Sequence, residues 1–248
     1  MEKIMYRLPL LLTLALLLGS PLPAHGFVFS DSVVHWPGYA SPLSGQNARD
    51  VNGTPDLLGG EFVFNGQHLL GIRVDYSAPS TALWDTVVPG DWFLDVDSDG
   101  YWDVALANAL SREAGSRNVY GVNLAYGDAG SYAFSDDVYN ALGGLERKGH
   151  PVLATLEQAG LIGSAAFSGW EKDPVLADTY SAYWDVSGIS GLLGLSPGGT
   201  LTYGFTMNCA NDALHGQGPV PAPEPGSQAL LLAGGAGVVW KARRKRRG

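Results

Sequence analysis

The chain has 248 residues, of which 34 are glycine and 15 are proline, and only 16% of its residues are charged. A hydrophobic fraction of 46% with seven tryptophans excludes a chain that is disordered throughout, and the one cysteine excludes an intrachain disulfide. The net charge of −9 is unevenly distributed, because residues 27–222 carry 22 acidic and 7 basic side chains. A segment that acidic repels a phosphate backbone, so we expect no nucleic-acid partner.

The first 26 residues have the three parts of a secretory signal peptide. Two basic residues precede an almost unbroken apolar run at residues 8–18, and prolines then interrupt the helical pattern. Ala24 and Gly26 occupy the small-residue positions of a cleavage motif, which predicts a mature chain beginning at Phe27. Cleavage after Ala24 is the neighbouring alternative. We therefore expect the protein to be exported.

Residues 27–218 predict one extracellular domain that is mainly antiparallel β, with a β-sandwich or jelly-roll-like architecture. Short apolar runs alternate in this segment with turns rich in Gly, Pro, Asn and Asp. Residues 61–64 and 67–76 flank Asn65 and Gly66, a pair that predicts a type I′ hairpin turn.

Period-two alternation of apolar side chains continues further along the domain. It is clearest at residues 120–126 and 201–207, and it predicts strands with one face against a core. The pattern changes between these two segments, where residues 136–145 and 151–160 predict short helical excursions.

One stretch of the domain has the spacing of a metal-binding loop. Its candidate ligands are Asp95, Asp97, Asp99, Tyr101 (through its carbonyl) and Asp103. Their arrangement around Gly100 is similar to the start of an EF-hand calcium loop, and oxygen donors suit Ca²⁺. Leu106 stands where that loop has glutamate, and the flanking residues predict strands, so we expect a calcium loop within a β-hairpin. The alternative is an Asp- and Gly-rich turn without an ion.

Other chemistry has weaker signals. The chain has no phosphate-binding glycine loop, its histidines lack zinc-ligand spacing, and we expect no enzymatic activity. A glycosidase would need two glutamates that face one cleft. Stacking on sugar rings would need exposed aromatic side chains. The sequence does not show whether either arrangement forms. The glutamates are Glu61, Glu113, Glu146, Glu157 and Glu171, and the aromatics are Trp36, Tyr39, Trp84, Trp92, Trp102, Trp170 and Trp184.

Residues 219–248 form a three-part tail. A Pro-rich linker at residues 219–225 precedes an apolar segment at 229–240. The basic cluster that follows consists of Lys241, Arg243, Arg244, Lys245, Arg246 and Arg247. Residues 226–240 would form a helix about 22 Å long, shorter than a hydrocarbon core of about 30 Å. We therefore expect a short transmembrane helix that stops transiently in the inner membrane, with its basic end on the cytoplasmic side.

The order of these three parts resembles a known sorting signal. Pro223, Glu224 and Pro225, followed by the apolar segment and the Arg-rich end, resemble the PEP-CTERM signal of Gram-negative bacteria. Short stretches within the body, at residues 52–60 and 207–212 among others, look like segments of PEP-CTERM surface proteins. The resemblance implies that an exosortase, a membrane transpeptidase-like cysteine protease, cuts near the Pro-Glu-Pro and passes the protein to the cell surface or the medium.

The same resemblance implies a structural or adhesive role in association with extracellular polysaccharide, and it implies no particular reaction. Two alternatives remain open at this point. One is a secreted calcium-dependent carbohydrate-binding module, and the other is a secreted glycoside hydrolase.

Overall fold

The computed structural model describes residues 25–31, 36, 55–78, 87–134, 151–157, 159–176, 178–210 and 212–222. Nearly all of the regular structure within them is β. The strands are β1 His25–Ser30, β2 Asp56–Asn65, β3 His68–Ser77, β4 Pro89–Asp95, β5 Tyr101–Ala107, β6 Gly115–Ala125, β7 Tyr132–Phe134, β8 Pro151–Ala154, β9 Gly160–Phe167, β10 Glu171–Lys172, β11 Thr179–Asp185, β12 Thr200–Met207 and β13 Ala213–Pro219. Short 3-10 helices occupy Ala129–Ser131 and Ser187–Leu192.

Eleven of these strands form one antiparallel sheet. Its order is β1-β2-β3-β11-β9-β6-β5-β4-β12-β13. Strand β10 pairs with the part of β11 that does not pair with β9. The sheet curls until its first and last strands lie in contact, where the ring of Phe27 on β1 packs against Gly218 on β13. The predicted mainly antiparallel β architecture is confirmed.

The predicted hairpin between β2 and β3 is present with a different turn. Asn65 pairs with His68, so the two turn residues are Gly66 and Gln67. Gly66 has a φ of +56° and Gln67 has a negative φ, which is the pattern of a type II′ turn, in which glycine takes the first central position. The sequence therefore correctly predicts Gly66 in the turn. It occupies the first central position, whereas the type I′ prediction puts it in the second.

Aromatic side chains fill the space that the curled sheet encloses. Trp92 stacks on Phe205 with ring centroids 4.6 Å apart, and Trp184 stacks on Phe167 at 4.9 Å. All four are buried. Each large aromatic ring removes about 150–250 Å² of surface from water, so this core adds substantially to the hydrophobic driving force.

A second apolar cluster lies on the outer face of β4, β5 and β12. Phe93 and Trp102 pack there against Trp36 and Tyr132, and the β7–β8 hairpin covers them. Neighbouring residues of β4 alternate between the two clusters, with Trp92 in the inner one and Phe93 in the outer one. Strand β4 is consequently buried along its whole length.

The β7–β8 hairpin is fixed to the sheet by a buried carboxylate. Asp91 on β4 accepts N–H groups from Ala154 at 3.0 Å and from Asn108 at 2.8 Å. The side-chain oxygen of Asn108 in turn accepts the indole N–H of Trp184 at 2.6 Å. Burial raises the pKa of Asp91 to about 7.

The predicted helix at residues 151–160 is wrong. Residues Pro151–Ala154 form β8, and Gly160 begins β9. Val152 is fully buried, and the carbonyl of Pro151 accepts the hydroxyl of Thr206 at 2.8 Å. Pairing with β7 and packing against β12 therefore override the helical spacing of the apolar residues. The other predicted helix, at residues 136–145, lies outside the described residues.

Within the part of the chain that the structure describes, no helix has the length and apolar character needed to cross a membrane. The tail that carries the predicted sorting helix, from residue 223 onward, lies outside that part.

Candidate functional site

The predicted calcium loop connects β4 to β5. Strand β4 ends at Asp95 and β5 begins at Tyr101, so the connection has five residues rather than a two-residue Asp-Gly turn. Ser98 has a φ of +63° and Gly100 a φ of +94°. These two left-handed residues turn the chain back on itself, a conformation that glycine adopts without a Cβ penalty.

The carboxylate of Asp95 lies at the centre of the loop. It is fully buried, and its two oxygens accept backbone N–H groups from Asp97 and Ser98 on one side and from Gly100 on the other. The hydroxyl of Tyr126 donates a further hydrogen bond to it. Asp95 therefore determines the shape of the loop by satisfying donors that the turn would otherwise leave unpaired.

Asp97 and Asp99 converge on Asp95 from the exposed side. One carboxylate oxygen from each of the three, which we call the loop aspartates, lies within 4.8 Å of the others. Asp97 also accepts the N–H of Asp99, and Asp99 accepts the N–H of Tyr101, so the loop holds this arrangement by its own hydrogen bonds. Among the described residues the one ion pair joins Arg73 to Asp75, elsewhere on β3.

The remaining predicted ligands lie at the edge of this group. Asp103 accepts the N–H of Val96 at 2.8 Å, and burial raises its pKa, with the charges of the three loop aspartates adding to the rise. The side chain of Tyr101 is 44% exposed. Carboxylate oxygens are hard donors of the kind that Ca²⁺ favours, since it accepts six to eight oxygens in a flexible geometry.

The structure also shows a second group of three aspartates, which sequence analysis missed. Asp31, Asp56 and Asp212, the junction aspartates, lie at the ends of β1, β2 and β13, with carboxylate oxygens within 4.8 Å of one another. Asp212 is buried and accepts the N–H of Leu57 at 2.6 Å and of Ala213 at 2.8 Å. No spacing rule could find this group, because strand pairing alone brings its members together.

The environment of Asp212 favours its protonated form. Burial raises the pKa of Asp212 to about 8, and the neighbouring charge of Asp31 adds to the rise. Two carboxylates this close cannot both be ionised without large repulsion.

The tryptophans named as candidate sugar-stacking platforms are mostly in the cores. Trp36, Trp92, Trp102 and Trp184 are at most 1% exposed, and Trp170 is partly buried. Trp84 and Tyr39 lie outside the described residues. The described tryptophans therefore form no exposed stacking surface.

The candidate glutamates, Cys209 and His215 lie in separate parts of the fold. Glu61, Glu113 and Glu171 lie on β2, on the β5–β6 connection and on β10, and Glu146 lies outside the described residues. Cys209 is buried just after the end of β12. His215 is largely buried beside Trp102, and burial lowers its pKa to about 4.

The predicted processing sites lie mostly outside the described residues. Ala24 and the residues of the sorting motif and basic cluster are in this group: Pro223, Glu224, Pro225, Lys241, Arg243, Arg244, Lys245, Arg246 and Arg247. Gly26 is the exception, since it lies within β1 and pairs with Val63. The predicted cleavage position therefore falls inside the first strand of the sheet.

The chain matches no known protein-family model, no curated protein and no solved structure.

Proposed function

We propose that the protein is an exported component of a bacterial cell surface or extracellular matrix, sorted through its tail by an exosortase. The observation that carries the proposal is the order of Pro223, Glu224 and Pro225, an apolar segment and a basic cluster after the β domain. We propose a transient stop in the inner membrane, followed by release to the surface or the medium. The role that fits is structural or adhesive, in contact with extracellular polysaccharide.

The end of the domain supports accessible processing at the tail. Val220 is buried, and it exchanges backbone hydrogen bonds with Gly198 and Gly199. Only two residues separate this last anchored position from Pro223. A protease that cuts near the Pro-Glu-Pro would therefore release the whole sheet without breaking any of its strands.

The curled sheet supports a display role. We propose that it acts as a β-sandwich or jelly-roll-like scaffold whose two halves pack across the aromatic core, leaving the connections between strands for contacts with other molecules. A carbohydrate-binding module that uses a flat aromatic platform is less well supported, because the described tryptophans are buried or partly buried.

Processing is tested by altering the motif. In the double variant Pro223→Ala and Glu224→Ala we expect an unprocessed precursor that stays with the membrane, because the protease loses its recognition sequence. Fractionation followed by mass spectrometry of both chain ends measures this. The matched control is Pro221→Ala, which alters the same linker and leaves the motif intact. Release of the double variant at the wild-type level would contradict sorting by an exosortase.

We further propose that the loop aspartates bind Ca²⁺, together with the carbonyl of Tyr101 and the carboxylate of Asp103. The convergence of Asp95, Asp97 and Asp99 carries this proposal. A divalent cation would offset the repulsion among three carboxylates that no described cation neutralises.

Calorimetric titration of the full chain with Ca²⁺ tests the loop. We expect binding heat from the wild type and a loss of at least about tenfold in affinity for Asp97→Asn combined with Asp99→Asn, since two charged ligands are removed. Glu113→Gln, a change of an exposed acid on the neighbouring connection, serves as the control. Absence of heat from the wild type would leave the Asp- and Gly-rich turn as the correct interpretation.

A further inference from the structure

A crevice opens where β6 and β9 separate. Their ladder ends at the pair Gly121–Gly160, whereas β6 continues along β5 as far as Ala125. Thr155, Glu157 and Ala159 form the opposite wall together with the 3-10 helix Ala129–Ser131, and the N–H of Thr155 donates a hydrogen bond to the carbonyl of Ser131. The volume is about 480 Å³, within the range of small-ligand sites in proteins.

The lining of this crevice is divided equally between apolar and polar residues. Two glycines, an alanine, Val122 and Leu124 form the apolar half. The polar half consists of Asn123, Asp128, Ser131, Thr155 and Glu157. Both charged residues are acidic, and no basic residue lines the crevice among the described residues. An anionic ligand would therefore meet uncompensated negative charge, in a domain that is already strongly acidic.

Two of the lining side chains are free to act on a ligand. Asn123 and Glu157 are exposed, and neither side chain makes a hydrogen bond to any described residue. Asp128 differs, because its carboxylate accepts the N–H of Gly130 at 3.1 Å and the hydroxyl of Ser131 at 2.9 Å, and so holds the wall in place. The crevice thus combines a rigid frame with one free amide and one free carboxylate.

These groups match the chemistry of a neutral sugar. A sugar hydroxyl both donates and accepts hydrogen bonds, an amide does the same, and a carboxylate accepts. The C–H faces of a pyranose ring are apolar and suit the half of the lining formed by Val122, Leu124 and the small residues. Residues 122–124 of β6 do not pair with β9, so the edge of β6 there lies beside the crevice.

We propose that the crevice binds a non-acidic saccharide, about one or two sugar units of a longer chain. The proposal rests on the proposed function for its polysaccharide context and narrows that function to a chemical class of glycan and to one site. Asn123 and Glu157 are its binding residues, and Asp128 is a positioning residue.

Titration of the full chain, purified in a detergent without a sugar headgroup, tests the proposal. The probes are maltohexaose, cellohexaose and mannohexaose as neutral glycans and oligogalacturonate as an acidic one. We expect at least one neutral hexasaccharide to bind and oligogalacturonate not to bind. Asn123→Ala and Glu157→Gln should each raise the Kd at least about fivefold, because the first removes a hydrogen bond to the ligand and the second replaces a charged acceptor with a weaker neutral one. The matched exposed changes Gln217→Ala and Glu171→Gln should leave the Kd unchanged.

Several outcomes would overturn the site. They are no binding of any neutral hexasaccharide up to about 10 mM, equal binding of oligogalacturonate, or an unchanged Kd in both crevice variants. Retention of the protein in extracellular polysaccharide is measured in parallel. If the wild type and both variants are retained equally, the crevice assignment fails and the proposed function stands. If the wild type is not retained at all, the polysaccharide role itself fails.

Discussion

The two groups of aspartates, one in the loop and one at the strand junction, hold carboxylates equally close but are built in opposite ways. The loop aspartates come from a five-residue stretch, and two of the three are exposed. The junction aspartates come from distant parts of the chain, and Asp212 accepts the N–H of Leu57, 155 residues away.

The difference lies in how each group tolerates its charge. The loop group faces solvent, where water, salt or a bound cation screens the repulsion. In the junction group Asp212 is buried and its two neighbours are half-buried, and this burial raises the pKa of Asp212 to about 8. An exposed group of this kind is available to a ligand, whereas a buried one serves the fold.

The largest contrast is expected in stability. Asp212→Ala leaves the N–H groups of Leu57 and Ala213 without their acceptor, and we expect it to lower the free energy of unfolding by about 3 kcal/mol. Asp97→Ala removes an exposed carboxylate and should cost less than about 1 kcal/mol in the absence of Ca²⁺. Urea unfolding followed by tryptophan fluorescence measures both. Equal costs would mean that the two groups do not differ as described.

The pH dependence of stability should separate the groups next. The folded-state pKa of Asp212 lies above its ordinary value of 3.8, so its contribution is fully present below about pH 4. That contribution is lost as the pH rises through about 8, and Asp91, with a pKa of about 7, acts in the same direction. We expect the urea midpoint to fall between about pH 5 and pH 8.

The variant Asp212→Asn, which cannot titrate, should weaken this pH dependence. Parallel curves for the wild type and Asp212→Asn would show that the junction proton does not contribute.

The smallest effect concerns the backbone of the loop. Gly100→Ala places a Cβ at a φ of +94° with no atom within 4 Å, so its cost of about 1 kcal/mol is conformational. Gly66→Ala, at a φ of +56° and equally open, is the matched control. We expect similar destabilisation from both changes but weaker Ca²⁺ binding only from Gly100→Ala. Weaker binding in both would indicate that the ion binds elsewhere.

Sequence was a good guide wherever contacts are local. The β2–β3 hairpin, the β4–β5 hairpin and the convergence of Asp95, Asp97 and Asp99 follow from turn residues and short spacings. The placement of Gly66 and Gly100 in turns was predictable because their positive φ angles favour glycine.

Prediction from sequence failed where tertiary contacts determine the local structure or the strand order. Nothing local indicates that β11 inserts between β3 and β9, or that residues near Leu57 receive Asp212. The apolar spacing of residues 151–160 satisfied a helical pattern, yet packing of Val152 against the sheet selected a strand. The crevice beside β6 lies where the ladder between β6 and β9 ends. Strand β9 begins 35 residues after β6 ends, and no sequence motif marks the crevice.

The strand order has a consequence for the time course of folding. Strand β4 lies beside β12, and β3 lies beside β11, so each half of the sheet includes strands from both ends of the domain. Such long-range pairing slows folding, since much of the chain must lose its freedom before these contacts form. The sheet is complete only after β13 has joined it. A chain that has not yet supplied its last 20 described residues lacks most of β12 and all of β13, so β4 is still without one of its two neighbours.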